Sequence, residues 1–367
     1  MRLRGDSKLR DNGPKRDNGP KRDNGLQQQD THALIRPIQY LRAIAAMMVV
    51  WVHSLYVIPG VVEKLGESYF GGSGVDLFFV ISGFIMVVTT AAKDVTVQRF
   101  FGLRIIRVVP LYWLATLATI AYAAYRHSFK GLYYTPGEIA KSLLFIPYVS
   151  GGGGTVGVWP IVLNGWTLNY EMFFYALFAL SLAAPRRLRL PGLVLALGLL
   201  AVVGRLFGPF ANPLASVYTS SLLLEFVAGM ILADLWLRDA QRNGLFLSLL
   251  AIAIGFLCLG SVFSRFVVAS GAFLVVAGCL HPRISRLQNR PLLELGNASY
   301  AIYLVHDFVL AALAWAWLWV FPSMTWASSV CFMAAALVLC AAAGWLCYRF
   351  IERPVTSRLR ATLCPRA

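Results

Sequence analysis

The chain has 367 residues, of which 58% are hydrophobic and only 14% are charged, and its formal net charge is +16. Soluble domains carry about 25% charged residues, so this composition excludes an ordinary soluble protein and indicates one that is embedded in a membrane. The positive charge could suit a nucleic-acid-binding protein, but the basic residues are divided among alternate loops between apolar segments. We therefore predict no nucleic-acid partner.

The N-terminal tail contains the repeated hexapeptide "DNGPKR", which is rich in Gly, Pro and alternating charge. Such a sequence cannot bury enough apolar surface to fold, so we predict a disordered tail over residues 1–36. We expect a transmembrane domain over 37–348 and a short cytoplasmic tail over 349–367.

Apolar windows of about 17 to 25 residues predict an all-α polytopic membrane protein with about ten transmembrane helices. The windows lie at 38–58, 75–92, 108–125, 166–184, 191–208, 217–236, 245–261, 266–281, 299–320 and 325–347. Basic residues precede the first window and follow every second one, so the positive-inside rule places both termini in the cytoplasm. The loop over 126–165 contains "EIAKSLLFIPYV", which is too short to span and is predicted to form an interfacial or re-entrant helix.

The first predicted span contains "LRAIAAMMVVWVH", which carries a cation near one end and an imidazole at the other. Arg42 and His53 are about three helical turns apart, which places both side chains on one stripe with roughly 16 Å between them. An ionisable group inside the bilayer is costly and therefore indicates function.

A cytoplasmic layer of arginines is predicted where the third span begins. In "RFFGLRIIRVVPLYW" the spacing of Arg104 and Arg107 places both on one helix face, at the depth of Arg42. Three guanidinium groups at one depth would suit a polyphosphorylated ligand. The alternative is that these residues extend to lipid headgroups as ordinary positive-inside residues.

A second layer is predicted nearer the outside. Asp76 begins the second span and Glu171 lies one turn into the fourth, so both reach a depth similar to that of His53. A histidine beside a carboxylate is a common general base, with the carboxylate orienting the ring. The alternative is a structural role for each residue.

Two further polar residues, His306 and Asp307, lie near mid-membrane in "LGNASYAIYLVHDF". They could line a passage between the two layers or form hydrogen bonds across the bundle. The six cysteines have neither metal-ligand spacing nor a disulfide framework, so we predict no metal site.

Six features follow one another along the chain in a characteristic order. They are Arg42 and His53 separated by ten residues, then "GGSGVDLFFVISGF", "RIIRVVPLYW", "NGWTLNYEMFFY", "LGNASYAIYLVH" and "IERP". Together they resemble the membrane-bound acyltransferase type 3 family, bacterial inner-membrane enzymes that O-acylate carbohydrates. The resemblance runs from about residue 37 to 354. The version "YLRAIAAMMVVWVHS" is most similar to the exopolysaccharide O-acetyltransferases.

This resemblance implies an acyl-CoA donor, usually acetyl-CoA, that is a substrate rather than a tightly bound cofactor. It also implies a carbohydrate or lipid-linked oligosaccharide acceptor, a bacterial inner-membrane location and a role beside polysaccharide-assembly proteins. The family's functional histidine corresponds to His53, its first-helix basic residue to Arg42, and its paired arginines to Arg104 and Arg107. The pantetheine arm of CoA would cover the distance from the arginines to His53.

Two chemistries and two functions stay open at this point. His53 could be a general base with Glu171 or Asp76 orienting it, or it could accept the acyl group and pass it on. The alternative function is a transporter or flippase of lipid-linked saccharides. Transport folds often contain internal repeats with paired broken helices, which this sequence does not show.

Overall fold

The computed structural model describes residues 23–67, 70–91, 95–126, 134–150, 157–238, 245–259 and 265–363. Within these ranges the chain is predominantly helical and forms no strand; one isolated bridge joins Ser150 and Gly157. The all-helical fold class is therefore confirmed. The first 22 residues of the predicted tail lie outside the described ranges, and the first helix already begins at Asp23.

Sixteen α-helices follow one another along the described ranges. They are α1 (Asp23–Val57), α2 (Pro59–Leu65), α3 (Gly74–Ala91), α4 (Val97–Arg126), α5 (Pro136–Leu143), α6 (Trp166–Ser181), α7 (Arg186–Phe207), α8 (Pro213–Tyr218), α9 (Leu223–Arg238), α10 (Leu245–Leu259), α11 (Arg265–Cys279), α12 (Pro282–Ser285), α13 (Arg290–Asn297), α14 (Ser299–Val320), α15 (Trp326–Cys347) and α16 (Arg353–Leu363). A π-helical turn, Tyr348–Glu352, joins α15 to α16.

Seven segments of the described chain are helical, long and apolar enough to cross a membrane, judged by length and composition. They are Arg36–Val57, Phe70–Ala91, Val97–Tyr125, Arg186–Phe207, Pro213–Arg238, Ser299–Val320 and Trp326–Leu363. The other three predicted spans are also helical but shorter: α6 has 16 residues, and α10 and α11 have 15 each. The structure thus supports a multi-pass membrane protein, while the count of ten spans stays a prediction.

The loop between α4 and α6 contains the short helix α5, which begins two residues before the segment predicted to be helical and ends at Leu143, so that residues 144–149 of that segment are not helical. Thr135 and Glu138 cap its first turn reciprocally, each side chain accepting from the other residue's backbone N–H. With eight residues, α5 is too short to cross a bilayer. The hydroxyls of Ser142 and Tyr112 lie 3.0 Å apart, which fixes α5 against α4.

Helices α3 and α9 pack with their backbones in direct contact. A Cβ atom added to Gly83 would lie 2.2 Å from the carbonyl oxygen of Phe226, and one added to Gly229 would lie 2.0 Å from that of Val80. Only glycine permits such an approach between membrane helices. Asp76 lies four and seven residues before Val80 and Gly83, so helical spacing places it on the same face of α3, towards α9.

Helix α1 packs against α14 and α15 through small and aliphatic side chains. The buried residues of this contact include Ala46 and Val50 from α1, Ile302 and Leu310 from α14, and Ala336 from α15. Small residues allow close approach between helices in a membrane. This packing brings the C-terminal half of α1 against α14.

Candidate active site

Two histidines meet where α1 packs on α14. His53 Nδ1 lies 2.7 Å from His306 Nε2, and the two rings stack with their centroids 4.8 Å apart. His306 is fully buried, whereas His53 is half-buried. One ring of the pair is therefore sealed inside the bundle, and the other remains accessible.

The hydrogen-bond network assigns the tautomers of this pair. His306 Nδ1 lies 2.7 Å from the carbonyl oxygen of Tyr303, which can only accept, so Nδ1 carries the hydrogen. In a neutral His306 ring, Nε2 then accepts from His53 Nδ1–H. His53 Nε2 is consequently left with a lone pair, as a general base or a nucleophile requires.

Tyr303 is itself held in place by α6 and the turn that precedes it. Its hydroxyl donates to the carbonyl oxygen of Asn164 at 2.9 Å and lies 2.7 Å from Thr167 Oγ1. The Asn164 side-chain amide donates to the Tyr303 carbonyl oxygen at 3.3 Å. Because all three residues are buried, these contacts fix the carbonyl that orients His306.

Asp307 completes the histidine cluster, defined here as His53, His306 and Asp307. Its Oδ1 lies 3.3 Å from His306 Nε2. A carboxylate at this distance stabilises a positive charge on the imidazole pair when His53 takes up a proton. The carboxylate approaches the same His306 nitrogen that contacts His53, so it lies close to both rings.

The same three residues offer ligand atoms that lie within 4.8 Å of one another, as a metal site would. Ligands about 2.0–2.1 Å from a tetrahedral zinc ion are separated by roughly 3.3 Å. The 2.7 Å between the two histidine nitrogens is shorter and has the length of a hydrogen bond. This geometry favours a shared proton over a metal ion between the rings.

A cavity of about 380 Å³ is lined by Tyr303 of α14 and by residues of α1, α3, α4 and α6. It brings together all three arginines of the predicted cytoplasmic layer, Arg42, Arg104 and Arg107, and they are joined there by Glu171 of α6 and Arg360 of α16. We call this the arginine cavity. Its excess of guanidinium groups makes it a site for an anion.

Arg104 is held in the cavity by aromatic rings. Its guanidinium carbon lies 5.3 Å from the ring centroid of Phe100 and 5.6 Å from that of Tyr175. In the described part of the chain, its buried Nε has no hydrogen-bond partner. A buried donor is costly when unpaired, so this nitrogen favours binding of an oxygen-rich anion.

Glu171 lies in the arginine cavity rather than beside His53. Its carboxylate accepts a hydrogen bond from the Tyr175 hydroxyl and another from Ser82 Oγ. His306 is a hydrogen-bond partner of His53, a role for which the sequence suggested Glu171 or Asp76. Equal depth on neighbouring helices does not decide which faces meet, and Glu171 faces the arginines.

Tyr303 joins the two clusters. Its side chain lines the arginine cavity, its carbonyl oxygen binds His306, and its ring packs edge-on against Phe78 with centroids 6.0 Å apart. Among the described residues that line this cavity, neither His306 nor Asp307 occurs. The contact between His306 and His53 is a hydrogen bond across the bundle, which is one of the two roles predicted for His306.

Two charged residues near the cavity were not singled out from the sequence. Glu352, in the π-helical turn, is buried and interacts electrostatically with Arg107 and Arg42. Arg360 lines the cavity from α16. Both follow the last apolar window predicted from the sequence, 325–347, where charge is ordinarily assigned to a solvated tail. The motif "IERP" was the available signal.

Comparison with known proteins gives a consistent result. Residues 36–345 match a family of acyltransferase domains. The exopolysaccharide production protein ExoZ of Rhizobium meliloti (strain 1021) is 39% identical over 311 residues, which cover 82% of this chain and 94% of that protein. The peptidoglycan O-acetyltransferase OatA of Listeria monocytogenes is 25% identical over 344 residues, covering 82% of this chain and 54% of that protein.

No solved structure matches the chain. The family match spans most of the sequence and includes His53, the predicted arginines and His306. The histidine cluster holds a ring nitrogen with a free lone pair, and the arginine cavity suits an anionic substrate. The chain therefore belongs to the acyltransferase family that this domain defines and is a multi-pass membrane O-acyltransferase.

Proposed function

We propose that the protein transfers an acetyl group from cytoplasmic acetyl-CoA to a hydroxyl group of an exopolysaccharide or of a lipid-linked glycan. The names of its relatives support the acceptor class, since one is an exopolysaccharide production protein and the other a peptidoglycan O-acetyltransferase. The observation that carries the proposal is the lone pair on His53 Nε2 beside a cavity built for an anion.

The proposed setting is the bacterial inner membrane, crossed by ten helices with both termini in the cytoplasm. Seven long apolar segments support this arrangement, and three shorter helices lie at the positions of the remaining predicted spans. In this orientation the arginine cavity opens near the cytoplasmic ends of α1 and α4, where acyl-CoA is available. The proposed domain organisation keeps the tail over 1–36 outside the transferase domain.

The donor would bind through its phosphates. Coenzyme A carries a diphosphate and a 3′-phosphate, and arginine recognises phosphate oxygens with its planar fork of donors. Arg42, Arg104 and Arg107 supply that recognition from two helices, α1 and α4. The thioester would extend past Tyr303 towards His53, along the roughly 16 Å that separates the arginine and histidine levels of α1.

In the proposed reaction, His53 Nε2 removes the proton of the acceptor hydroxyl as its oxygen bonds to the thioester carbonyl carbon. The carbon–sulfur bond then breaks, and the CoA thiolate takes the proton from Nε2. During this sequence the positive charge on His53 is stabilised by hydrogen bonding to His306 and by the Asp307 carboxylate. His53 returns to its starting tautomer when CoA leaves.

The same lone pair would serve a covalent relay, in which His53 Nε2 attacks the thioester and carries the acetyl group to the acceptor. We prefer the general base because the buried hydrogen-bonded pair is organised to gain and lose a proton. Rapid quenching that traps acetyl-imidazole on His53, or ping-pong kinetics, would overturn that preference.

Membrane vesicles containing the protein test the proposal directly. With labelled acetyl-CoA and a glycan extract as acceptor, we expect label in chloroform-soluble or polymeric glycan for the wild type and none for His53→Ala. The matched control is His281→Asn, because His281 caps α12 by accepting from the Arg283 backbone, a role that asparagine keeps. A folded wild type that transports lipid-linked saccharide but never transfers label would instead identify a transporter.

A further inference from the structure

The C-terminal helix α16 returns to the cytoplasmic end of the bundle. The π-helical turn Tyr348–Glu352 joins it to α15, and α16 packs against the beginning of α4. Such turns are frequently found at functional sites. Here the turn buries Glu352 and brings the helix that follows to the helix that carries Arg104 and Arg107.

Only one arginine of α16 lines the arginine cavity among the residues described. Arg360 does so, whereas Arg353 and Arg358 of the same helix are exposed away from it. Thr356 and Leu359 are half-buried and mark the side of α16 that faces the bundle. Arg360 lies one turn after Thr356, so helical spacing places it next to that side. Arg360 is itself exposed, which places it at the mouth of the cavity.

The charges around the cavity do not balance without an anion. Its described lining includes four arginines and one glutamate: Arg42, Arg104, Arg107, Arg360 and Glu171. Arg360 interacts electrostatically with Arg104, which has the same charge, and with the buried carboxylate of Glu352. A second observation points to a ligand, because the buried Nε of Arg104 has no partner in the described chain.

We propose that Arg360 binds a phosphate group of acyl-CoA and that α16 forms the cytoplasmic end of the donor site. This inference rests on the proposed function and extends it beyond residue 345, where the match to the acyltransferase domain ends. The position at the mouth suits the phosphate-bearing end of CoA, while the thioester arm points inward to Tyr303. Arg360 is thus a donor-binding residue and does not take part in proton transfer.

Binding of CoA to the purified full chain in detergent tests this assignment. We expect Arg360→Ala to raise the dissociation constant for CoA about tenfold, as loss of one charge-assisted hydrogen bond does. The matched control Arg358→Ala, on the same helix but away from the cavity, should change it less than about twofold. Arg360→Lys keeps the charge without the planar fork and should fall between them.

Kinetics give an independent readout. Arg360→Ala should raise the KM for acetyl-CoA and leave kcat at saturating donor near the wild-type value, because Arg360 is remote from His53. Repeating the titrations with dephospho-CoA locates the contact. If Arg360→Ala and the wild type bind dephospho-CoA equally well, Arg360 contacts the 3′-phosphate. If Arg360→Ala still binds more weakly, Arg360 contacts the diphosphate. Both results support the proposal.

Equal dissociation constants for Arg360→Ala, Arg358→Ala and the wild type would overturn the inference alone. A wild type that transfers acetyl groups but binds no CoA would overturn both the donor and the inference. Thermal unfolding checks that each variant is folded. If Arg360→Ala were unfolded, Arg360→Lys would take its place, and wild-type affinity in that variant together with unchanged KM would overturn the proposal.

Discussion

The histidine cluster and the arginine cavity both adjoin Tyr303 and differ in how their polar groups are satisfied. In the histidine cluster, His306 uses both ring nitrogens within the protein, one towards the Tyr303 carbonyl and one towards His53. In the arginine cavity, Arg104 Nε is buried with no hydrogen-bond partner among the described residues. Both ring nitrogens of His306 are thus satisfied without a ligand, whereas Arg104 Nε is not.

This difference corresponds to two functions, proton transfer and anion binding. A proton-transfer site must be organised before the substrate arrives, because reorganisation during the reaction would add to the barrier. A binding site for a multiply charged anion has a higher affinity when its donors are unpaired in the free protein, because the ligand then satisfies them. Substitutions in the two clusters should therefore separate the rate of transfer from the affinity for CoA.

The largest effect is expected from His53→Ala. Loss of the base should lower kcat for acetyl transfer by about 10²–10⁴, while the dissociation constant of CoA changes less than about twofold. The two quantities are measured by label incorporation and by titration of the purified protein. A comparable loss of CoA binding would break the separation between the two clusters.

The next effect concerns His306, which acts through His53 and is a positioning residue. His306→Leu should lower kcat by roughly 10²-fold, because His53 loses the acceptor that fixes its tautomer. His306→Asn, whose amide oxygen can still accept from His53 Nδ1–H, should retain more activity. KM for acetyl-CoA should stay constant in both variants. Identical losses in the two would indicate that His306 only fills space.

Arg104→Ala should act chiefly on binding. We expect the dissociation constant of CoA to rise about tenfold, with kcat at saturating donor little changed. Arg99→Ala is the matched control, since Arg99 lies on the same helix, is exposed, and does not line the arginine cavity. An Arg104→Ala enzyme with normal affinity and low kcat would assign Arg104 to the transfer step instead.

The smallest effect is expected in the packing that holds both clusters. Gly229→Ala should destabilise the bundle by about 1–3 kcal/mol, because its new methyl group would overlap the Val80 carbonyl oxygen and force α3 and α9 apart. Gly198→Ala in α7 meets open space and should be neutral or slightly stabilising. Thermal unfolding in detergent measures both. Equal melting temperatures would show that α3 and α9 can separate enough to accept the methyl group without loss of stability.

Much of this arrangement could be predicted from the sequence. Apolar windows located every long helix, and the spacing of Arg104 and Arg107 placed both on the face that lines the cavity with Arg42. These features are local, because hydropathy and helical periodicity depend on neighbouring residues alone. The short helix α5 was likewise predicted from its length and composition.

The partners of the charged residues were decided by tertiary structure. His53 and His306 are 253 positions apart and meet because α1 packs on α14. Glu171 was expected beside His53. The orientation of α6 about its axis instead directs this side chain into the arginine cavity, where it binds Tyr175 and Ser82. Arg360 reaches the cavity only because the π-helical turn brings α16 to α4. Helix packing fixes such pairings through contacts between distant segments, which the sequence pattern of any single helix does not contain.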